Sequence, residues 1–131
     1  MIKESKANLY NMKVKEITVD WDDCFDNPSN FLDFSEKQDR LKVFIEENDN
    51  ISEIFWRYSS RGKGIHLKII LKRQVSVLEN FMYRAQLEDD IYRIKADLVR
   101  YASGKEINRL WDAKIVKGEE FYAGEWRKFK D

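Results

Sequence analysis

The chain has 131 residues, 43% hydrophobic and 14% aromatic, which is one domain's worth of sequence with enough apolar material for a packed core and excludes disorder as the default. Its 24 basic and 24 acidic side chains cancel, so net charge gives no reason to expect a nucleic-acid partner, although a local basic patch is still allowed. A lone cysteine (Cys24) and a lone histidine (His66) exclude an intramolecular disulfide, the usual zinc sites and a histidine-pair endonuclease, and no apolar run approaches the ~18–20 residues of a membrane helix.

In chain order, residues 1–11 are polar and expected to be loose. Residues 12–20, MKVKEITVD, carry Val14, Ile17 and Val19 between charges, which predicts a strand with one slip in its alternation. The acidic, turn-rich stretch DWDDCFDNPSN follows and holds the only proline, Pro28. Residues 35–48 predict a helix, capped by Ser35 with Gln38 as its capping-box partner and striped by Leu41, Phe44 and Ile45. The aromatic run 53–59 predicts a second strand, residues 60–64 a glycine-containing loop, and residues 65–72, IHLKIILK, a third strand. Residues 76–87 and 89–103 predict two helices, the latter stopped by Gly104. Residues 107–116 predict a fourth strand, and the tail 117–131 leaves room for a short extra strand or hairpin. There is no internal repeat.

The order β-α-β-β-α-α-β is, apart from the doubled helix, the ferredoxin-like (RRM-like) split pattern. It predicts a single α+β domain over 1–131, with a mainly antiparallel four-stranded sheet and helices on one face. In that topology the strands run in the order 4-1-3-2. The end of the first strand, VDWDD, then lies beside the start of the third, GIH.

Three sets of residues could carry chemistry. Asp20 and Asp22 are two apart, so on a continuing strand both carboxylates share a face, where they could hold divalent metal; Asp23 extends the acidic run. Such acids select magnesium or manganese over zinc, and nothing calls for haem or flavin. In Ser59-Ser60-Arg61-Gly62-Lys63-Gly64, the glycines expose backbone N–H groups and Arg61 and Lys63 add charge, a combination suited to phosphate, with His66 behind it. A hairpin loop with solvated charges has the same composition. Asp97 reads as a helix-face partner of Arg93 or as a third carboxylate; Asp112 competes for that role, being placed beside the first strand by the predicted order. The many aromatics serve either as core or as a base-stacking surface.

These residues resemble motifs of the archaeo-eukaryotic primase superfamily, the primase-polymerases of archaeal plasmids and viruses among them. Asp20-Trp21-Asp22 is similar to its Asp-x-Asp motif, Ser60-Arg61-Gly62-Lys63-Gly64-Ile65-His66 to its S-x-G-x-G-x-H motif, and Ala96-Asp97 to its apolar-Asp motif, in the same order over roughly residues 14–100. The resemblance implies an RRM-like core in which Asp20, Asp22 and Asp97 bind two magnesium or manganese ions, while His66, Ser60 and Lys63 contact the phosphates of an incoming nucleotide. It implies nucleotide or nucleic acid as partner, with a larger replication complex also allowed; an exposed sheet edge allows a homodimer, the lack of a long apolar run predicts no membrane, and the lone cysteine fits a reduced, cytoplasmic setting, that of the host if the chain is viral. LEDDIYRIKADLVR also looks like stretches of uncharacterised proteins of archaeal viruses and plasmids. Three functions remain open on the residues: metal-dependent nucleotidyl transfer or nucleotide binding, a non-catalytic module for nucleic acid or protein, and a metal-dependent nuclease.

Overall fold

The alternating apolar residues of the first predicted strand form β1, Lys13–Trp21, in the computed structural model, which describes residues 13–22, 24–25 and 28–129. The expected loose segment 1–11 and Asp23 lie outside the described residues. β1 pairs antiparallel with β3, Ile65–Ser76, and β3 pairs antiparallel with β2, Ile51–Tyr58. The slip between Val14 and Ile17 coincides with a register shift against β3 between Val14 and Glu16. Register and two-residue periodicity place Ile17, Val19 and Trp21 beside Ile69, Leu67 and Ile65, with Ile54 and Trp56 of β2 beyond them. These residues form the inner face of the core, and full burial of each aliphatic side chain contributes about 1.5–3 kcal/mol of transfer free energy.

The helix α1, Pro28–Glu47, closes this face with Leu41 and Phe44. It begins seven residues before the predicted Ser35 cap. Proline suits a first helical turn, because its fixed φ is helical and its missing N–H would have no partner there. α2, Val77–Gln86, is capped by Ser76, whose Oγ accepts from Glu79 N at 3.1 Å. It lies along β1 and meets α1 through the Phe44–Tyr83 ring pair, 5.4 Å between centroids. α3, Ile91–Ala102, packs Ile94 against Val77 and Phe81 in a second apolar cluster that includes Ile107. Gly104, at φ +74°, follows α3 in the left-handed conformation that glycine adopts without strain. Among the described residues no helix is long and apolar enough to cross a membrane.

Among the described residues the protein is thus a mixed α+β fold with three α-helices and a four-stranded antiparallel sheet, consistent with the ferredoxin-like class, but the fourth strand is not the predicted one. The sheet order is β1-β3-β2-β6, where β6, Arg127–Lys128, adds to the outer edge of β2. Residues 107–112 are irregular. β4, Ala113–Val116, and β5, Glu119–Tyr122, form a separate hairpin whose turn residues Lys117 and Gly118 both have positive φ, as a tight two-residue turn requires.

The physical reason is that side chains occupy the outer edge of β1. Glu16 O accepts from Asn80 Nδ2 (3.0 Å) and Asn108 Nδ2 (3.1 Å), and Thr18 O from Arg93 Nη1 (3.0 Å). Asp20 N donates to Asp89 Oδ1 (2.8 Å), and Asp90 N to Asp20 O (3.2 Å). An edge whose donors and acceptors are satisfied in this way has nothing to offer another strand. The 107–112 segment instead crosses the sheet face opposite α1. Asn108 O accepts from Thr18 Oγ1 on β1, and Trp111 O accepts from Arg57 Nη2 on β2.

Candidate functional site

On the face opposite α1, the register aligns one polar residue from each of three strands. Asp20 of β1 is opposite His66 of β3, and His66 is opposite Arg57 of β2. Arg57 Nε donates to His66 Nδ1 at 3.0 Å, Arg57 Nη1 pairs with Asp112 Oδ1 at 2.8 Å, and the Trp126 ring covers the guanidinium at 4.3 Å. Because a guanidinium only donates, His66 Nδ1 must accept and the imidazole proton must sit on Nε2. Burial, reinforced by the charges of Arg57 and Arg93, lowers the His66 pKa from 6.5 to about 4. At neutral pH His66 is therefore an uncharged donor whose Nε2–H faces Asp20 Oδ1 at 3.6 Å, too far for a full hydrogen bond.

Three carboxylates gather at the end of β1. Asp20, Asp22 and Asp90 each offer one oxygen, and all three oxygens lie within 4.8 Å of one another. Asp22 follows the strand end, and Asp90 caps α3 by accepting from Tyr92 N at 2.8 Å. Asp89 fastens the two halves together. Its Oδ1 accepts from Asp20 N and Asp90 N, and its Oδ2 from Arg84 Nε (2.7 Å) and Arg93 Nη1 (2.8 Å).

Such crowding governs the protons. Dehydration by the surrounding protein, then the hydrogen bond with Asp90 and the charge of Asp20, push the Asp22 carboxyl up to about 8. Burial, with Asp89 and Asp90 adding to it and Arg93 opposing, raises Asp20 to about 6. Burial works against ionised Asp90 too, but hydrogen bonds from Asp22 and the Tyr92 and Arg93 amides, together with the Arg93 charge, hold its pKa below the usual value. At neutral pH Asp22 thus keeps a proton and shares it with Asp90. Asp20 Oδ1 is buried with no hydrogen-bond partner. Three hard oxygen donors, one orphaned and one pair held together by a proton, fit a small divalent cation such as magnesium or manganese.

The glycine-containing loop closes the other side. Ser60–Gly62 form one 3₁₀ turn, with Gly62 at φ +68°. Gly64 is required for a different reason. A Cβ there would stand 2.3 Å from Trp21 O and 3.2 Å from Asp22 Cα, so only glycine lets the start of β3 pass this close to the end of β1. The expected backbone nest is largely closed. Ser59 N bonds Gly64 O, Gly62 N bonds Ser59 O, and Gly64 N bonds Ser59 Oγ. Anion binding at this loop would therefore fall to side chains. A cleft of about 470 Å³ opens between the loop and the acids, lined by Asp20, Asp22, Ser59, Ser60, Lys63, His66, Trp111, Ala113 and Lys114. The Arg61 side chain lies outside the described residues.

The sequence-predicted residues therefore divide. Asp20, Asp22, Ser60, Lys63 and His66 line one cleft. Asp97 does not join the acids, and its expected place as third carboxylate is corrected. Its side chain is buried, and its Oδ2 accepts from Arg84 Nη1 (2.8 Å) and Asn108 N (3.0 Å), which makes it an internal counter-ion. Asp112 does not stand beside the end of β1 either. With the fourth predicted strand displaced, it pairs from an exposed position with Arg57 of β2. The residue that sequence reasoning missed is Asp90. The signal was the Asp89-Asp90 pair directly ahead of an apolar helical repeat, an N-cap position absorbed into the helix predicted for 89–103.

No family model matches the chain, and no solved structure matches it. It is similar to "Uncharacterized protein 30" of the Sulfolobus islandicus filamentous virus (isolate Iceland/Hveragerdi), with 32% identity over 104 residues. That match covers 77% of this chain and spans 37% of the viral protein's length.

Proposed function

We propose that the cleft binds a nucleoside triphosphate together with magnesium or manganese and supports nucleotidyl transfer of the primase-polymerase kind. The observation that carries the reading is the convergence of Asp20, Asp22 and Asp90 with a neutral Nε2–H donor, His66, beside a loop bearing Ser60 and Lys63. The motif resemblance around Asp20-Trp21-Asp22 and Ser60–His66 supports it independently.

Asp20, Asp22 and Asp90 would hold the metal, which when bound would neutralise phosphate charge and lower the pKa of an attacking hydroxyl. His66 Nε2–H, presented by Arg57 and unable to become charged near neutrality, donates to a phosphate oxygen without competing with the cation for the acids. Lys63 and Lys114 supply positive charge to the triphosphate.

The test is thermal denaturation with manganese, with and without a nucleoside triphosphate, followed by extension of a labelled oligonucleotide. Wild type is expected to be stabilised by manganese and further by nucleotide, and Asp20→Ala to lose both responses. Absence of any manganese response at pH 8 refutes the reading. Manganese-dependent shortening of the oligonucleotide without nucleotide would assign the same acids to hydrolysis instead.

A further inference from the structure

A second recess meets the first at the acids. About 310 Å³ in volume, it is lined by Asp20, Asp90, Tyr92, Arg100, Arg109 and Trp111 among others, and shares Asp20 and Trp111 with the main cleft. Two large aromatics stand in it exposed, Tyr92 at 77% and Trp111 at 61%. Single exposed apolar residues are ordinary, but these two are each matched with a cation. Lys95 Nζ lies 5.8 Å from the Tyr92 ring centre, and Arg109 Cζ lies 5.2 Å over the Trp111 ring. Trp111 is anchored from behind, its carbonyl held by Arg57 Nη2, so its ring stands on a fixed backbone.

We infer that this recess is the seat of a single-stranded nucleic acid, whose end it delivers to the acids opposite the nucleotide. The inference rests on the nucleotidyl-transfer reading of the cleft. Aromatic faces flanked by cations are what unpaired bases and their phosphates need, since every base has a π-face and stacking asks for no particular sequence. A duplex hides those faces, and a recess at the lower end of small-ligand pocket sizes admits a nucleotide rather than a helix. The chain's zero net charge makes the attraction local: Arg109, and Arg100 whose Nε lies 4.0 Å from Asp97 Oδ1, are the cations that face phosphates here against Asp20, Asp90 and Asp97 on the same wall, and two contacts at most predict a shallow salt dependence, a log–log slope no steeper than about −1.4.

The experiment is fluorescence anisotropy of a labelled oligothymidylate 8-mer titrated with the full chain, with manganese present. The double variant Tyr92→Ala/Arg109→Ala, both positions exposed, is expected to melt near the wild-type temperature and to bind at least tenfold more weakly with a flatter salt slope. Lys117→Ala in the hairpin turn serves as control and is expected to bind as wild type. Unchanged affinity in the double variant overturns the inference, as does equal or tighter wild-type binding to a labelled duplex. The manganese–thymidine triphosphate thermal shift of the wild type reports the cleft separately. That shift without oligonucleotide binding overturns the recess and leaves the cleft; oligonucleotide binding that the double variant loses, without that shift, supports the recess and removes the cleft reading.

Discussion

Replacing Asp20 by asparagine tests why three carboxyl groups are held together at all. Burial, aided by Asp89 and Asp90, raises the Asp20 pKa from 3.8 to about 6. A raised folded-state pKa contributes stability that is complete below about pH 3.8 and is lost as pH rises through about 6. About two pKa units at 1.36 kcal/mol each give about 3 kcal/mol, the burden that ionised Asp20 places on the metal-free protein above neutrality. Asp20→Asn keeps the shape and removes that charge. In urea denaturation with chelator at pH 8, the variant is expected to be more stable than wild type by about 2–3 kcal/mol. At pH 4 the difference should shrink toward zero, because the wild-type carboxyl is then protonated. Added manganese should reverse the order at pH 8, raising wild type and leaving the variant unmoved. A variant less stable than wild type at pH 8 in chelator, or a difference that ignores pH, would refute the account of the acids as a site strained for a cation.

Three further outcomes follow from the geometry. His66 should show the Nε2–H tautomer by imidazole nitrogen NMR and stay neutral from pH 8 down to about pH 5, its pKa lying near 4; Arg57→Ala should raise that pKa, and titration near 6.5 in wild type would contradict the Arg57–His66 bond. Gly64→Ala, which sets a Cβ against Trp21 O at 2.3 Å, should destabilise the protein by about 1–3 kcal/mol in urea and abolish the manganese response, whereas Gly62→Ala, with open space but positive φ, should lose only about 1 kcal/mol. Arg84→Met leaves Asp89 and Asp97 buried without their shared guanidinium, so a loss of about 3–5 kcal/mol is expected in the same assay, and a loss below 1 kcal/mol would show that these carboxylates are not held as the hydrogen bonds indicate.

What could be read from residues alone was local. Alternation at Val14, Ile17 and Val19 and at Ile65, Leu67 and Ile69 is a backbone period, so β1 and β3 and their inner face were legible, and the pairing of Asp20 with His66 followed once the two strands were taken as antiparallel neighbours. The fourth strand was not legible. Residues 107–116 have strand-like composition, but whether they join β1 depends on what else occupies its edge, and the other occupants, Asn80, Asp89 and Arg93, come from α2, α3 and their junction. The early start of α1 at Pro28 was hidden because a proline in an acidic turn-rich stretch marks a loop and a first helical turn equally well. Asp97 misled for a related reason. An aspartate near arginines on an amphipathic helix looks the same in sequence whether it faces solvent, a metal or a buried guanidinium, and only packing against Arg84 separates these.

Asp89 and Asp90 show how the fold resolves that ambiguity. Both are aspartates at the same α2–α3 junction, yet Asp89 is buried and accepts from two backbone amides and two arginines, which leaves it no capacity for a ligand. The carboxylate of its neighbour accepts from the α3 amides and from the Asp22 carboxyl, so a cation could take the place of the proton that Asp22 shares with it. The buried pairing of Asp89 with Arg84 and Arg93 is also what ties the α2–α3 junction to β1 at Thr18 and Asp20. Without it the like charges of Asp20 and Asp90 would oppose the gathering of the three carboxyl groups. The internal ion pairs therefore act on the site through position. They hold three carboxyl groups within coordinating distance, and the stability that a cation or a proton would restore there is the measurable trace of that constraint.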